Sequence, residues 1–278
     1  MEQKKKLYTA APLPFVGQKR RFVGEFRRAI ADCPDNTIFV DLFGGSGLLS
    51  HIAKHDRPQA TVVYNDYDNY RQRIKCIDAT NALLADIRAL IGDTPKNRRL
   101  TERQSNRILE TVKEAEHKGF VDYITLSSAL MFSMKYVLSY EALAKETMYN
   151  NVRNTPYSAD GYLDGLTIVR ADYKVIFDRY RNQPNVVFLI DPPYLSTEVG
   201  TYTMSWRLPD YLNVLTLLQG TRYFYFTSSK SSVVELCEWI AKAKLKTDPF
   251  AGAVRSERQV TMNYNSRYTD MMLYKLAG

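Results

Sequence analysis

Cysteine is scarce in this chain: Cys33, Cys76 and Cys237 are the only three in 278 residues. An odd number, widely spaced and without a CxxC pair, excludes a disulfide framework. Buried thiols in a reducing compartment are the expectation. Histidine is equally rare, and His51, His55 and His117 leave a zinc site poorly supplied, so no metal is expected. His51 and His55 share a helical face, but the Glu that a zinc-protease helix places between such a pair is missing, and they read as a surface helix. No stretch approaches the roughly 18 apolar residues of a membrane span. The basic N-terminus lacks the apolar core of an export signal. Neither a membrane partner nor export is expected. Internal repeats and low-complexity segments are also lacking.

What is present is an ordinary globular composition, with 45% hydrophobic and 24% charged residues, which argues against wholesale disorder. The length allows one large domain, or a core with an insert. Net charge is +8 and the pI about 9.2, a surplus that suits an acidic partner, nucleic acid first. Much of it lies early, in Lys4-Lys5-Lys6, Lys19-Arg20-Arg21 and Arg27-Arg28.

The chain is organised around Asp191-Pro192-Pro193-Tyr194, which follows the apolar run Val186–Ile190. Five apolar residues after Asn182-Gln183-Pro184-Asn185 read as a strand buried on both faces. An acid and two prolines then stop the ladder. A carboxylate and an aromatic ring are thereby held on stiff backbone at the carboxyl end of a strand, where open α/β sheets bind ligands. The same design occurs earlier. Thr37-Ile38-Phe39-Val40-Asp41 is a strand ending in an acid, and Gly44-Gly45-Ser46-Gly47 is a turn opening a helix. Glycines there let backbone N–H groups approach a ligand. The spacing is neither the dinucleotide fingerprint nor a P-loop. Asp41 beside the turn would repel a phosphate and suits a zwitterionic or cationic group, a description that S-adenosylmethionine fits. A second strand over Ala60–Tyr64 ends at Asn65-Asp66-Tyr67-Asp68. There Asp66, with Asp68 as the alternative, can bind ribose hydroxyls.

Elsewhere the pattern is coarser. Residues 1–11 read as a basic tail, and Ala11–Arg20 as a loop in which Phe15 and Lys19 could enter a pocket or Phe15 could anchor the tail. A helix follows over 21–31. From Arg71 to Leu143 apolar residues recur at helical spacing, interrupted by the basic turn Asp93–Arg99. The stretch Met148–Ser158 is rich in Asn, Arg and Tyr, side chains that hydrogen-bond base edges, pair with phosphates and stack. This part reads as an insert. Strand-then-acid returns at Leu166–Asp172. After Asp191 come a polar, aromatic loop over 195–207, a helix over 209–218, a strand over 222–227 and a helix over 233–243. Residues 253–275 read as a basic loop and one terminal strand centred on Met271–Tyr274.

Taken together, Pro14-Phe15-Val16-Gly17-Gln18-Lys19, Asp41–Gly47, Asp66, Asp172 and Asp191–Tyr194 resemble the Dam-like DNA adenine-N6 methyltransferases, some of phage or prophage type. Similarity runs the length of the chain, and the D-P-P-Y motif matches letter for letter. Gln18 stands where that family more often has Gly. The resemblance implies an α/β, Rossmann-like S-adenosylmethionine-dependent methyltransferase core, with a mixed, mainly parallel sheet, over 1–72 and 165–278. It implies a mainly helical target-recognition insert over 73–164. It assigns cofactor binding to Phe15, Lys19, Asp41, Phe43, Gly44, Gly45, Gly47, Asp66, Asp172 and Asp191, with Asp66 on the ribose and Asp172 on the adenine amine of the cofactor. Catalysis falls to Asp191, Pro192, Pro193 and Tyr194, and DNA contact to Asn151, Arg153, Asn154 and Tyr157.

The chemistry has its own logic. An exocyclic amine is a poor nucleophile because its lone pair is delocalised into the ring. Hydrogen bonds accepted by the Asp191 side chain and the Pro192 carbonyl would localise that pair toward a methyl donor. Tyr194 would stack on the base, which must first leave the duplex. Duplex DNA is the expected partner, a monomer the default, and the cytoplasm of a prokaryote or phage-infected cell the expected location. Methylation of cytosine N4 uses nearly the same chemistry and is the nearest alternative, and a non-catalytic DNA-binding remnant is another. Carbon-5 methylation is rejected because Cys33-Pro34 has the wrong order and place for the required thiol.

Overall fold

The structure is a computed structural model that describes residues 6–132, 135–193, 208–229, 233–242, 248–263 and 266–276. After a short 3-10 turn at Arg20–Phe22 come α1 (Val23–Ile30), β1 (Ile38–Asp41), α2 (Leu48–Asp56) and β2 (Thr61–Asn65). A helical stretch follows, with α3 (Tyr70–Lys75), α4 (Ile77–Ile91), α5 (Glu102–Lys118), α6 (Tyr123–Leu130) and α7 (Tyr140–Leu143). Strands and helices then alternate through β3 (Thr167–Val169), α8 (Tyr173–Tyr180), β4 (Val186–Ile190), α9 (Leu208–Leu217), β5 (Tyr223–Ser228) and α10 (Val233–Lys242). The chain closes on β6 (Val254–Asn263) and β7 (Ser266–Lys275).

Two compact units result. One comprises Met1–Ala10, Gln18–Asp68 and Leu163–Gly278, the other Ala11–Gly17 and Asn69–Tyr162. The first holds a sheet with strand order β3-β2-β1-β4-β5-β7-β6. Pairings from β3 across to β5 are parallel, whereas β7 runs antiparallel to both β5 and β6. This is the mixed, mainly parallel Rossmann-like architecture. The apolar run of β4 is continuous because both faces are covered. Val186, Phe188 and Ile190 face a core completed by Ile176 and Phe177 of α8, Val214 of α9 and Val233 of α10. Val187 and Leu189 face the other way, toward Phe26 and Ile30 of α1 and Ile52 of α2.

Three local expectations fail. Residues 253–275 form a hairpin of two long strands rather than a loop and one strand. Strand β6 escapes the pattern because it lies at the sheet edge and carries Arg255, Glu257 and Arg258, the charges with which edge strands avoid pairing with other chains. His51 is buried, not on a surface helix: its Nε2 accepts the backbone N–H of Tyr8 at 3.0 Å. Tyr8, expected in a basic tail, is correspondingly buried, its ring edge-on to His51 at 5.3 Å. Cys33 and Cys237 are buried, while Cys76 is half-buried.

The second unit is a helical cluster. Leu84 and Ile87 of α4 meet Ile108 and Val112 of α5 and Leu126 and Leu130 of α6 in one apolar core. A capping box between Thr101 and Gln104 starts α5, and Asp122 caps α6 by accepting the Thr125 N–H at 3.1 Å. An ion pair lies inside this unit: Arg73 Nε donates to Asp122 Oδ1 at 3.0 Å, and Arg73 Nη2 to the Pro14 carbonyl at 2.8 Å. The Tyr70 hydroxyl bonds both backbone groups of Leu13. Segment 11–17 is pinned to α3 in this way.

Candidate active site

Strand order reverses direction between β1 and β4, and at such a switch point the carboxyl ends of adjacent strands diverge and leave a crevice. Asp41 ends β1 and Asp191 follows β4 directly; Asp41 is in register with Leu189. The two predicted acids are thus neighbours. Lys19 joins them, its Nζ 2.5 Å from Asp191 Oδ2. The ammonium is almost wholly buried, whereas 22% of the Asp191 side chain stays exposed. Burial pushes the Asp191 carboxyl above its ordinary range, and Lys19 opposes that rise by its charge and its hydrogen bond.

Asp41 is more enclosed. Burial raises its pKa to about 7, although the Ser50 hydroxyl donates to Oδ2 at 2.7 Å and favours the ionised form. The charge of Asp191 adds to the rise, and the Phe43 N–H and Lys19 counter it. A buried acid poised near neutrality will ionise fully when a cation arrives beside it.

The glycine turn is shaped by the end of β2. A Cβ on Gly44 would lie 2.3 Å from the Tyr64 ring and 2.8 Å from the Asn65 carbonyl oxygen, so only glycine fits. Gly45 and Gly47 adopt positive φ of 50° and 73°, and Gly47 leads into α2. The Tyr64 hydroxyl lies 2.7 Å from the Gly45 carbonyl oxygen and 3.1 Å from Asp66 Oδ1. Asn65 donates to the carbonyls of Leu42 and Ala171 at 2.9 and 3.0 Å, tying together the loops after β1 and β3. Ser50, Tyr64 and Asn65 were not singled out in sequence. The only signal was position: Tyr64 and Asn65 directly precede Asp66, and Ser50 interrupts an apolar helix start.

The remaining predicted residues are dispersed. Phe43 sits 5.0 Å from the Tyr173 ring. Asp172 is exposed and caps α8 by accepting the Lys174 N–H at 2.8 Å. Asp68 is exposed and Asp66 buried. Pro192 is buried and Pro193 half-buried, while Tyr194 lies outside the described residues. Phe15 belongs to the second unit, its ring 5.6 Å from Tyr70. In that unit Asn151 donates from its side chain to the Met131 carbonyl at 2.8 Å. Arg153 and Asn154 are exposed, and the Arg153 guanidinium lies 4.2 Å from the centre of the Tyr157 ring. The Asn81 amide clasps the Tyr157 backbone, accepting its N–H at 2.8 Å and donating to its carbonyl at 2.9 Å. No cluster of three or more potential metal ligands occurs among the described residues. Nor, among them, is any helix long and apolar enough to cross a membrane.

The sheet order, the acid-ended β1 with its glycine turn, and Asp191-Pro192-Pro193 at the switch point define an α/β methyltransferase. More narrowly, the chain belongs to the family of D12 class N6 adenine-specific DNA methyltransferases, which it matches over residues 15–219. It is an adenine-specific DNA methyltransferase, and the cytosine-N4 alternative falls away. A Haemophilus influenzae protein provisionally named a methyltransferase is 37% identical over 282 aligned positions, covering 98% of this chain and 94% of the relative. Among solved structures, an rRNA methylase from Streptococcus thermophilus aligns with 94% of this chain and 99% of its own, at 10% identity. Its TM-score of 0.31 is too low to bear on fold or function.

Proposed function

We propose that this enzyme takes its methyl group from S-adenosylmethionine and delivers it to an adenine turned out of duplex DNA, with Asp191 as the acceptor that aligns the amine. The observation that carries this reading is the Lys19–Asp191 contact of 2.5 Å at the end of β4. It holds a carboxylate in one position on stiff backbone, with part of its surface still exposed. Preorganised acceptors of this kind act where charge develops in the transition state, without having to reorganise.

The residues around the glycine turn fit the cofactor. Asp41 and Asp66 would repel a phosphate but suit an ammonium or sulfonium and a pair of ribose hydroxyls, and the Tyr64 hydroxyl fixes the Asp66 carboxylate. Asp41, Phe43, Gly44, Gly45, Gly47 and Asp66 would hold it, with Asp172, Phe15 and Lys19 in the contacts that the family resemblance assigns them. When bound, S-adenosylmethionine supplies an electrophilic methyl carbon. Asp191 and the Pro192 carbonyl would accept hydrogen bonds from the two N–H groups of the adenine amine and so turn the nitrogen lone pair outward. As the new N–C bond forms and the methyl–sulfur bond breaks, positive charge grows on the nitrogen beside Asp191. The extra proton leaves after transfer, so no strong base is required. Tyr194 offers a ring on which the base can stack, worth roughly 1–3 kcal/mol. The helical unit, through Arg153, Asn154, Asn151 and Tyr157, is the part assigned to the DNA, and a monomer suffices for this scheme.

Asp191→Ala separates chemistry from binding. Single-turnover methyl transfer to duplex DNA should fall by about 10²–10³-fold or more, while S-adenosylmethionine affinity measured calorimetrically stays within about threefold. Unchanged transfer would sink the role given to Asp191. Faster reaction on a duplex whose target adenine faces a mismatch, relative to the matched duplex, supports extrusion of the base; equal rates would remove that element.

A further inference from the structure

The basic turn Asp93–Arg99 and the start of the Asn-, Arg- and Tyr-rich segment form one structure. Leu100 N–H donates to the Met148 carbonyl at 2.9 Å, Asn150 N–H to Arg98 at 2.9 Å and Asn97 N–H to Asn150 at 2.8 Å. Arg99 and Tyr149 are therefore directly opposed across an antiparallel bridge, in the non-hydrogen-bonded type of pair. Such pairs place both side chains on one face, with Cβ atoms about 4.5–5.5 Å apart. The alternation assigns the faces. Leu100, Met148 and Asn150 are buried toward the helical core, and Arg99 is exposed.

Phe132 joins the outward face. The Tyr149 N–H donates to the Leu130 carbonyl at 2.7 Å and the Asn151 N–H to that of Ala129 at 2.9 Å, so the last turn of α6 abuts 149–151, and Phe132 follows it directly. The Phe132 ring lies 4.2 Å from that of Tyr149, and 56% of the residue is exposed. One exposed ring is ordinary on a protein surface, but here it adjoins a second ring, Tyr149, to make a continuous aromatic surface. Arg99, across the bridge from Tyr149, is in none of the ion pairs among the described residues. Two touching rings flanked by an uncompensated guanidinium combine the stacking surface and the phosphate partner that nucleic acid requires.

We propose that Phe132, Tyr149 and Arg99 form a second DNA contact, distinct from the Arg153–Tyr157 loop, in which Phe132 stacks on or wedges between bases and Arg99 neutralises a phosphate. The inference rests on the reading that this helical unit binds DNA. Its chemistry divides the labour: the arginine supplies salt-dependent affinity, and the aromatic pair supplies contact that salt does not weaken.

The test uses the full-length protein and a fluorescently labelled mixed-sequence duplex, with anisotropy titrations over a range of salt. Arg99→Ala should lower the slope of log K against log salt by about one. Phe132→Ala should weaken binding roughly tenfold with the slope unchanged, and Phe132→Trp should restore it. Cofactor affinity and the urea midpoint should stay at wild-type values, since both side chains are exposed. Arg153→Ala is the reference. If it weakens DNA binding while Arg99→Ala and Phe132→Ala behave as wild type, the second contact is overturned and the DNA-binding unit stands. If all three behave as wild type, both readings fail.

Discussion

Two buried ion pairs, one in each unit, look alike but leave their carboxylates in different surroundings. In the helical unit Asp122 is enclosed: Oδ1 accepts Arg73 and the Thr125 N–H, Oδ2 accepts the Thr125 hydroxyl at 2.6 Å, and 1% of the side chain is exposed. That carboxylate caps a helix and holds a loop, and its burial leaves no oxygen open to a substrate. In the sheet unit Asp191 meets Lys19, and part of its side chain remains exposed at the end of a strand. The difference separates a structural pair from the one proposed to act on the substrate. What differs is how far the carboxylate reaches solvent, 22% at Asp191 against 1% at Asp122, since burial of the cation is similar in both.

Substitutions at the two acids should therefore fail in opposite ways. The largest effect is expected from Asp122→Ala, which strands the Arg73 guanidinium and should cost about 3–5 kcal/mol of stability. Urea unfolding would measure it, and a loss below about 1 kcal/mol would show that the pair is dispensable. Asp191→Ala should instead lose about 10²–10³-fold in methyl transfer with a smaller loss of stability, because the long Lys19 stem can carry its ammonium toward water. A drop in the urea midpoint as large as that of Asp122→Ala would erase the contrast.

Asp41 sharpens the comparison through pH. Its pKa in the folded chain is raised from 3.8 to about 7, so folding favours the protonated form. The resulting stabilisation is complete below about pH 4 and is lost as pH rises through about 7. Asp41→Asn should be indistinguishable from wild type at the acid end. Without cofactor it should become relatively more stable above neutrality by a few kcal/mol, bounded by the roughly 1.4 kcal/mol that each pH unit represents. Parallel stability profiles across that range would refute the raised pKa. The smallest effect is expected at Asn81, whose amide clasps Tyr157. Asn81→Ala should loosen the loop carrying Arg153 and reduce DNA affinity by about 1 kcal/mol, with cofactor affinity unchanged. Equal losses in both affinities would argue for general disruption of the unit.

Much of the catalytic face was legible because its residues are contiguous. The run Val186–Ile190 announces a strand covered on both faces, and Asp191-Pro192-Pro193 announces where it stops. Gly44 was legible as a glycine, but the reason it must be one, the Tyr64 ring and Asn65 carbonyl behind it, was not. Strand β6 was missed because edge charges mask its alternation. His51 was misread because nothing near it in sequence shows that Tyr8 N–H seeks its ring nitrogen. The pairing of Arg99 with Tyr149 was invisible for the same reason, since antiparallel partners can come from segments far apart along the chain.

The sequence by itself determined the family and the strand-then-acid rhythm, and it singled out Asp191 for the role proposed above. These depend on local order: apolar runs, prolines and glycines act on their own backbone and its immediate neighbours. Only the tertiary structure decided that Lys19 reaches Asp191, that Ser50 and Asp191 act on the protonation of Asp41, and that Phe132, Tyr149 and Arg99 share one open face. Those outcomes depend on distance and desolvation between residues remote in the chain, which packing sets and linear order does not encode.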